Sequence, residues 1–237
     1  MSVSGVQKHW RLLAILLTVA AVWLLRVWIL RTVAWGLIVN EDCPIADYVW
    51  IADGDHCGDR CFDRAAQLYR KRPSMRIILV AQYRQRIVQI GVQPPPEAIG
   101  RRELASRGVP SAAVIVIPGR ARNAWEEVQL LTSWLASQSG AEVLLLCDQF
   151  GSRLQRHIVD SVMDANGAKH IHIDPLPNRR FDEHDWWRKR DGVKHLGLSF
   201  LELLYAWYRG APGEAAETWT PADYERTLRQ KLKKAQP

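Results

Sequence analysis

Residues 147–156, CDQFGSRLQR, set Asp148, Ser152, Arg153 and Arg156 directly behind the apolar run AEVLLL at 141–146. A short Leu/Val-rich run of this kind reads as a buried strand of a parallel sheet, and the segment after it as the start of a helix. Open α/β sheets bind ligands where strand carboxyl ends meet helix N-termini. A serine hydroxyl, free N–H groups and two planar guanidinium forks at that place suit a phosphate or a carboxylate. The plainer alternative is a local cap in which Asp148 pairs with Arg153.

Other polar residues fall at comparable positions. Asp53 and Asp55 flank Gly54 after the apolar stretch 48–52. A carboxylate there could hold a ribose hydroxyl or a cation, although Asp/Gly turns form routinely without a ligand. Arg64 lies on a helix, facing either the cleft or solvent. Asn123, with Glu126 three residues on, has the spacing of a helix cap and capping box. Glu126, Glu127 and Asp53 are the candidate general bases if the chain catalyses a reaction.

Metal chemistry finds no support. Cys57 and Cys61 resemble half a metal site, but no second pair completes it, and Cys43 and Cys147 stand apart. His170, His172, His184 and His195 lack ligand spacing. Cys147, within a strand, reads as a small buried side chain. Outside the cytoplasm, Cys57 with Cys61, or Cys43 with either, could form a disulfide.

The elements that must position these residues alternate. Strands are expected at 48–52, 76–81, 113–117, 142–146 and 170–173. Helices are expected at 61–71, 97–107, 124–137, 154–166 and 193–208. Such alternation gives βαβ units and a mainly parallel sheet covered on both faces, a Rossmann-like three-layer α/β domain. The domain is expected over 44–210. A polar tail, helical in part, is expected over 211–237.

The first 40 residues differ in character. Residues 12–25, LLAILLTVAAVWLL, carry no charge, and a spanning helix needs about 20 mainly apolar residues. Residues 10–30 meet that requirement if Arg26 snorkels to the nearer interface. With no A-x-A cleavage site, the segment reads as a retained anchor, with membrane lipid as its partner. Lys8 and Arg11 before the span place the N-terminus in the cytoplasm and the domain outside. Trp186-Trp187, followed by three basic residues, could dock on headgroups or cover the sheet edge. The formal charge of +7 comes without a zinc finger, an RNA-recognition signature or a clustered basic helix, so nucleic acid is not an expected partner.

Six short motifs, in order, resemble the YdcF/SanA-type (ElyC-like) family in its membrane-anchored bacterial form. They are ADYV at 46–49, RAAQLY at 64–69, L-x-x-x-G-V-P at 104–110, Asn123 with Glu126 and Glu127, DQFGSR at 148–153, and DWWR at 185–188 with the helix through Tyr205. This resemblance implies a Rossmann-like domain of the bacterial inner membrane, with a polar cleft at the strand ends. It also implies a link to cell-envelope biogenesis or barrier maintenance and a small anionic, nucleotide- or phosphate-bearing ligand. Asp53, Gly54, Arg64, Asn123, Asp148, Ser152, Arg153 and Arg156 are its expected binding residues. The chain departs from the family where Ala81-Gln82-Tyr83 replaces a Ser/Thr-Gly-Gly turn, and where Gly151 replaces a histidine. That second change weighs against catalysis and leaves an envelope scaffold with a degenerate cleft as an alternative. The ligand, any cofactor and protein partners stay unassigned.

Overall fold

The computed structural model describes residues 3–43, 45–52, 58–83, 88, 91–138 and 140–210. Helix α1 (Val3–Trp35) precedes five parallel strands: β1 (Tyr48–Ile51), β2 (Arg76–Gln82), β3 (Val114–Ala121), β4 (Val143–Asp148) and β5 (Ile171–Leu176). Between and after them lie α2 (Gly58–Lys71), α3 (Pro96–Ser106), α4 (Ala124–Leu135), α5 (Ser152–Val162), the short α6 (Ala165–Ala168) and α7 (Arg190–Arg209). The strand order is β3-β2-β1-β4-β5. Chain direction across the sheet reverses between β1 and β4, the switch point at which Rossmann-like sheets open a crevice.

Alternation along the strands builds two cores. Val49, Ile51, Ile77, Leu79, Leu144 and Leu146 point to the face covered by α2 and α3, where Cys61, Ala65, Ala66 and Leu104 meet them. Trp50, Ile78, Val80, Leu145 and Cys147 point to the opposite face, against Trp125, Val128 and Leu131 of α4 and Ile158 and Val159 of α5. All of these are buried. The near-continuous apolar strands follow from this double coverage. Between α3 and β3, Gly108 adopts φ +84, a left-handed turn that an L side chain resists, and so ends α3 within the sequence RGVP.

Several boundaries differ from the sequence expectation, two of them for a clear physical reason. Strand β3 runs through Pro118-Gly119 to Ala121, because β3 is an edge strand and edges tolerate proline's missing N–H. The helix expected over 154–166 breaks at Met163, because the Asp164 carboxylate accepts the Gly167 N–H at 2.8 Å and starts α6. Helix α1 runs to Trp35, and its apolar stretch covers Leu13–Trp35. The helix is long and apolar enough to cross a membrane. Within it the Arg26 guanidinium lies 4.1 Å from the Trp23 ring centre and donates to the Trp23 carbonyl at 3.3 Å.

A third apolar cluster ties the end of α1 to the α/β domain. Ala34 and Leu37 pack with Phe150, Phe181, Trp186, Leu196 and Leu203. Trp186 is buried here, with its indole N–H donating to the Leu30 carbonyl at 3.3 Å. Gly192, at the start of α7, lets that helix press on the Trp186 backbone, since a Cβ there would lie 2.4 Å from the Trp186 oxygen.

Candidate functional site

The residues gathered by the motif at 147–156 face the chain itself. Ser152 is fully buried; its hydroxyl accepts the Val39 N–H at 2.8 Å and donates to the Gln149 carbonyl at 2.7 Å. The Arg153 backbone N–H donates to Leu37 at 3.1 Å and its guanidinium to Ile38 at 3.4 Å. Arg156 donates to the Glu41 carboxylate, to the Ile171 carbonyl, and to Ala168 at 3.2 Å. Glu41 in turn accepts the Ile173 N–H at 3.1 Å, while its own N–H donates to the Ile173 carbonyl at 2.9 Å. The donors expected to bind an anion thus strap residues 37–41, the segment leaving the anchor, onto the start of α5 and the edge of β5.

Asp148 has a different role. It accepts the Phe150 and Gly151 N–H groups at 3.0 and 3.2 Å, fixing the turn into α5. It also accepts from His195 Nε2 at 2.7 Å. Burial lowers the His195 pKa, but the hydrogen bond and charge of Asp148, with Glu202 adding, outweigh it, and the net shift is upward. A histidine therefore does reach this strand end, from α7 rather than from position 151. A Cβ at Gly151 would meet only ordinary contacts with Asp148. Sequence reasoning missed this pairing because residues 148 and 195 are joined only by the packing of the last helix.

Arg64 reaches across β4 to Asp174 of β5, with Nε 2.8 Å from the carboxylate. Asn123 caps α4, its side-chain oxygen accepting the Glu126 N–H at 3.0 Å, and Glu126 accepts the Arg122 N–H at 2.9 Å. Glu127 is buried and accepts the Trp50 indole N–H at 3.1 Å. Asp53, Gly54, Asp55 and Cys57 lie outside the described residues. Cys61 is disulfide-bonded, whereas Cys43 and Cys147 are free thiols. Burial pushes the Cys147 thiol well up, in keeping with an inert core side chain. Glu142 bridges His170 and His172, each at 2.8 Å, across the amino ends of β4 and β5, away from the switch point. Among the described residues no group of His, Cys, Asp or Glu forms a metal site.

Among the described residues, one concavity of about 590 Å³ is lined by Glu41, Arg156 and Lys169, and another opens at the carboxyl ends of β1, β2 and β3. The latter is a cleft of about 710 Å³. Ile51, the last residue of β1, and Ala52 line one side of it. Its apolar floor is Phe62, Leu79 and Val80, and its polar rim includes Gln82, Tyr83, Gln93 and Arg122. The β2–β3 register shifts between Val80 and Gln82, an irregularity that re-aims side chains at the cleft. Tyr83 is held there by its N–H to the Ala121 carbonyl at 2.7 Å, and the exposed Arg122 guanidinium sits 5.2 Å from the Tyr83 ring centre. Gly100 of α3 permits the close packing behind the floor, since a Cβ would lie 3.0 Å from the Leu79 side chain. Gln82, Tyr83 and Arg122 were not among the candidate site residues read from the sequence, because no spacing pattern links them. Compared with protein-family models, with curated proteins and with solved structures, the chain gives no match.

Proposed function

We propose that the chain is a membrane-anchored Rossmann-like domain that binds a small anionic, nucleotide- or phosphate-bearing ligand in the cleft over β1–β3. The observation that carries this is the cleft itself: about 710 Å³, at the carboxyl ends of three parallel strands, apolar below, with the Arg122–Tyr83 pair on its rim. That size and lining suit a small molecule. The aromatic ring offers a stacking face and the guanidinium a fork for phosphate or carboxylate oxygens.

In this reading the anchor lies in the bacterial inner membrane, the N-terminus is cytoplasmic and the domain is outside, serving cell-envelope biogenesis or barrier maintenance. Lys8 and Arg11 ahead of the span support the orientation. The oxidised Cys61 supports an extracytoplasmic domain, since disulfides persist in oxidising compartments. The envelope role rests on the YdcF/SanA resemblance. Of the three candidate bases, Glu126 and Glu127 are engaged in capping and core hydrogen bonds and Asp53 lies outside the described residues, so binding is the reading proposed.

Thermal unfolding of the full chain in detergent, run against nucleoside diphosphates and sugar phosphates, tests the reading. A ligand at a hundred times its Kd stabilises by about 2.7 kcal/mol. The stabilisation is expected to vanish in Arg122→Ala and to persist in Arg153→Ala. A shift lost in Arg153→Ala but kept in Arg122→Ala would move the site to α5.

A further inference from the structure

Helix α7 buries one side and leaves the other apolar. Leu196, Ser199, Leu203 and Ala206 face inward, while Leu198, Leu201, Leu204, Tyr205 and Tyr208 are exposed on the opposite side, Tyr208 by 89%. A contiguous apolar face of this kind marks a contact surface. We propose that this face of α7 lies on the bilayer that α1 crosses, a second membrane contact made in the plane of the headgroup boundary. The proposal rests on α1 being embedded, and goes beyond the ligand reading.

Three observations select lipid as the occupant. The first is continuity with the anchor. Phe200 of α7 shares an apolar groove with Leu25, Trp28, Ile29 and Val33, all within the apolar span Leu13–Trp35. The second is position. Leu196 and Leu203 on the inward side of α7 share a buried apolar cluster with Ala34, in the last turn of α1, and Leu37 just beyond it, and the neighbouring Trp186 is bonded to Leu30. This holds α7 at the level where the span ends. The third is composition. Tyr205 and Tyr208 combine apolar rings with polar tips, as interfacial side chains do, and Trp207 is also exposed. Arg188, Lys189, Arg190 and Lys194 at one end of the helix and Arg209 at the other are placed to meet anionic headgroups.

Photo-crosslinking of the full chain in native membranes tests this. Benzophenone-alanine is introduced singly at Leu201 and Tyr205 of α7, at Leu24 of α1 as the embedded reference, and at the exposed Arg102 of α3 as the remote one. Lipid adducts identified by mass spectrometry are expected at 24, 201 and 205 and not at 102. Lipid adducts at 24, with 201 and 205 instead giving a product of twice the chain mass, an adduct to another protein or no adduct, would overturn the proposal while leaving the anchor intact. Failure at 24 as well would overturn the anchor and this inference together. Neither result bears on the cleft, whose ligand shift is read separately.

Discussion

Asp148, at the carboxyl end of β4, and His195, on α7, are joined by a 2.7 Å hydrogen bond between side chains only about a tenth exposed. The bond couples the turn that starts α5 to α7, which shares a buried cluster with the end of α1. Phe150 and Phe181, with ring centres 5.9 and 5.6 Å from the imidazole, shield it.

Because the folded-state pKa of His195 is raised above its ordinary 6.5, folding takes up protons. The stabilisation is fully present below the unfolded value and is lost as pH rises through the folded one. Melts of the full chain between about pH 6 and about pH 9 should show a falling Tm that His195→Gln flattens. Identical slopes for the two proteins would contradict the assignment.

The strap formed by residues 37–41 makes a second prediction. Arg156 has a side chain only 17% exposed and holds Glu41, Ala168 and Ile171 together. Arg156→Met leaves those acceptors with lost bonds, at a cost of about 1–3 kcal/mol. Limited proteolysis of the full chain in detergent should then cut within 37–41 while the domain stays intact. Ser152→Ala is expected to act in the same direction. An unchanged cleavage pattern in both would mean that the strap does not depend on these bonds.

The cysteines make a third. Alkylation of the denatured, unreduced chain from native membranes should label Cys43 and Cys147, the free thiols, and label Cys61 only after reduction. Denaturation is needed because burial raises both free thiols' pKa values. Label on Cys61 without reductant would point to a reducing compartment and against the proposed orientation.

The apolar runs were legible in the sequence because strands covered on both faces leave few polar residues to confuse the pattern. The parallel sheet and the apolar anchor follow from them. The packing of Ala34 and Leu37 with Trp186 was not legible, since no local pattern joins residues so far apart in sequence. Ser152, Arg153 and Arg156 were correctly placed at a strand end. Their partners Val39, Leu37, Ile38 and Glu41 lie more than a hundred residues away, and nothing in local spacing signals that contact. Arg122 and Tyr83 were passed over for a similar reason: they meet only where β2 and β3 end side by side. Glu126 and Asn123, by contrast, form the cap that their spacing predicts, because capping is a local interaction.

Native mass spectrometry of the full chain, released from detergent after purification from native membranes without added ligand, tests the central claim most directly. The account predicts a retained phosphorylated or nucleotide-like mass that is lost in Arg122→Ala and kept in Arg153→Ala. A bare chain mass that stays bare across a panel of nucleotides and sugar phosphates would contradict it.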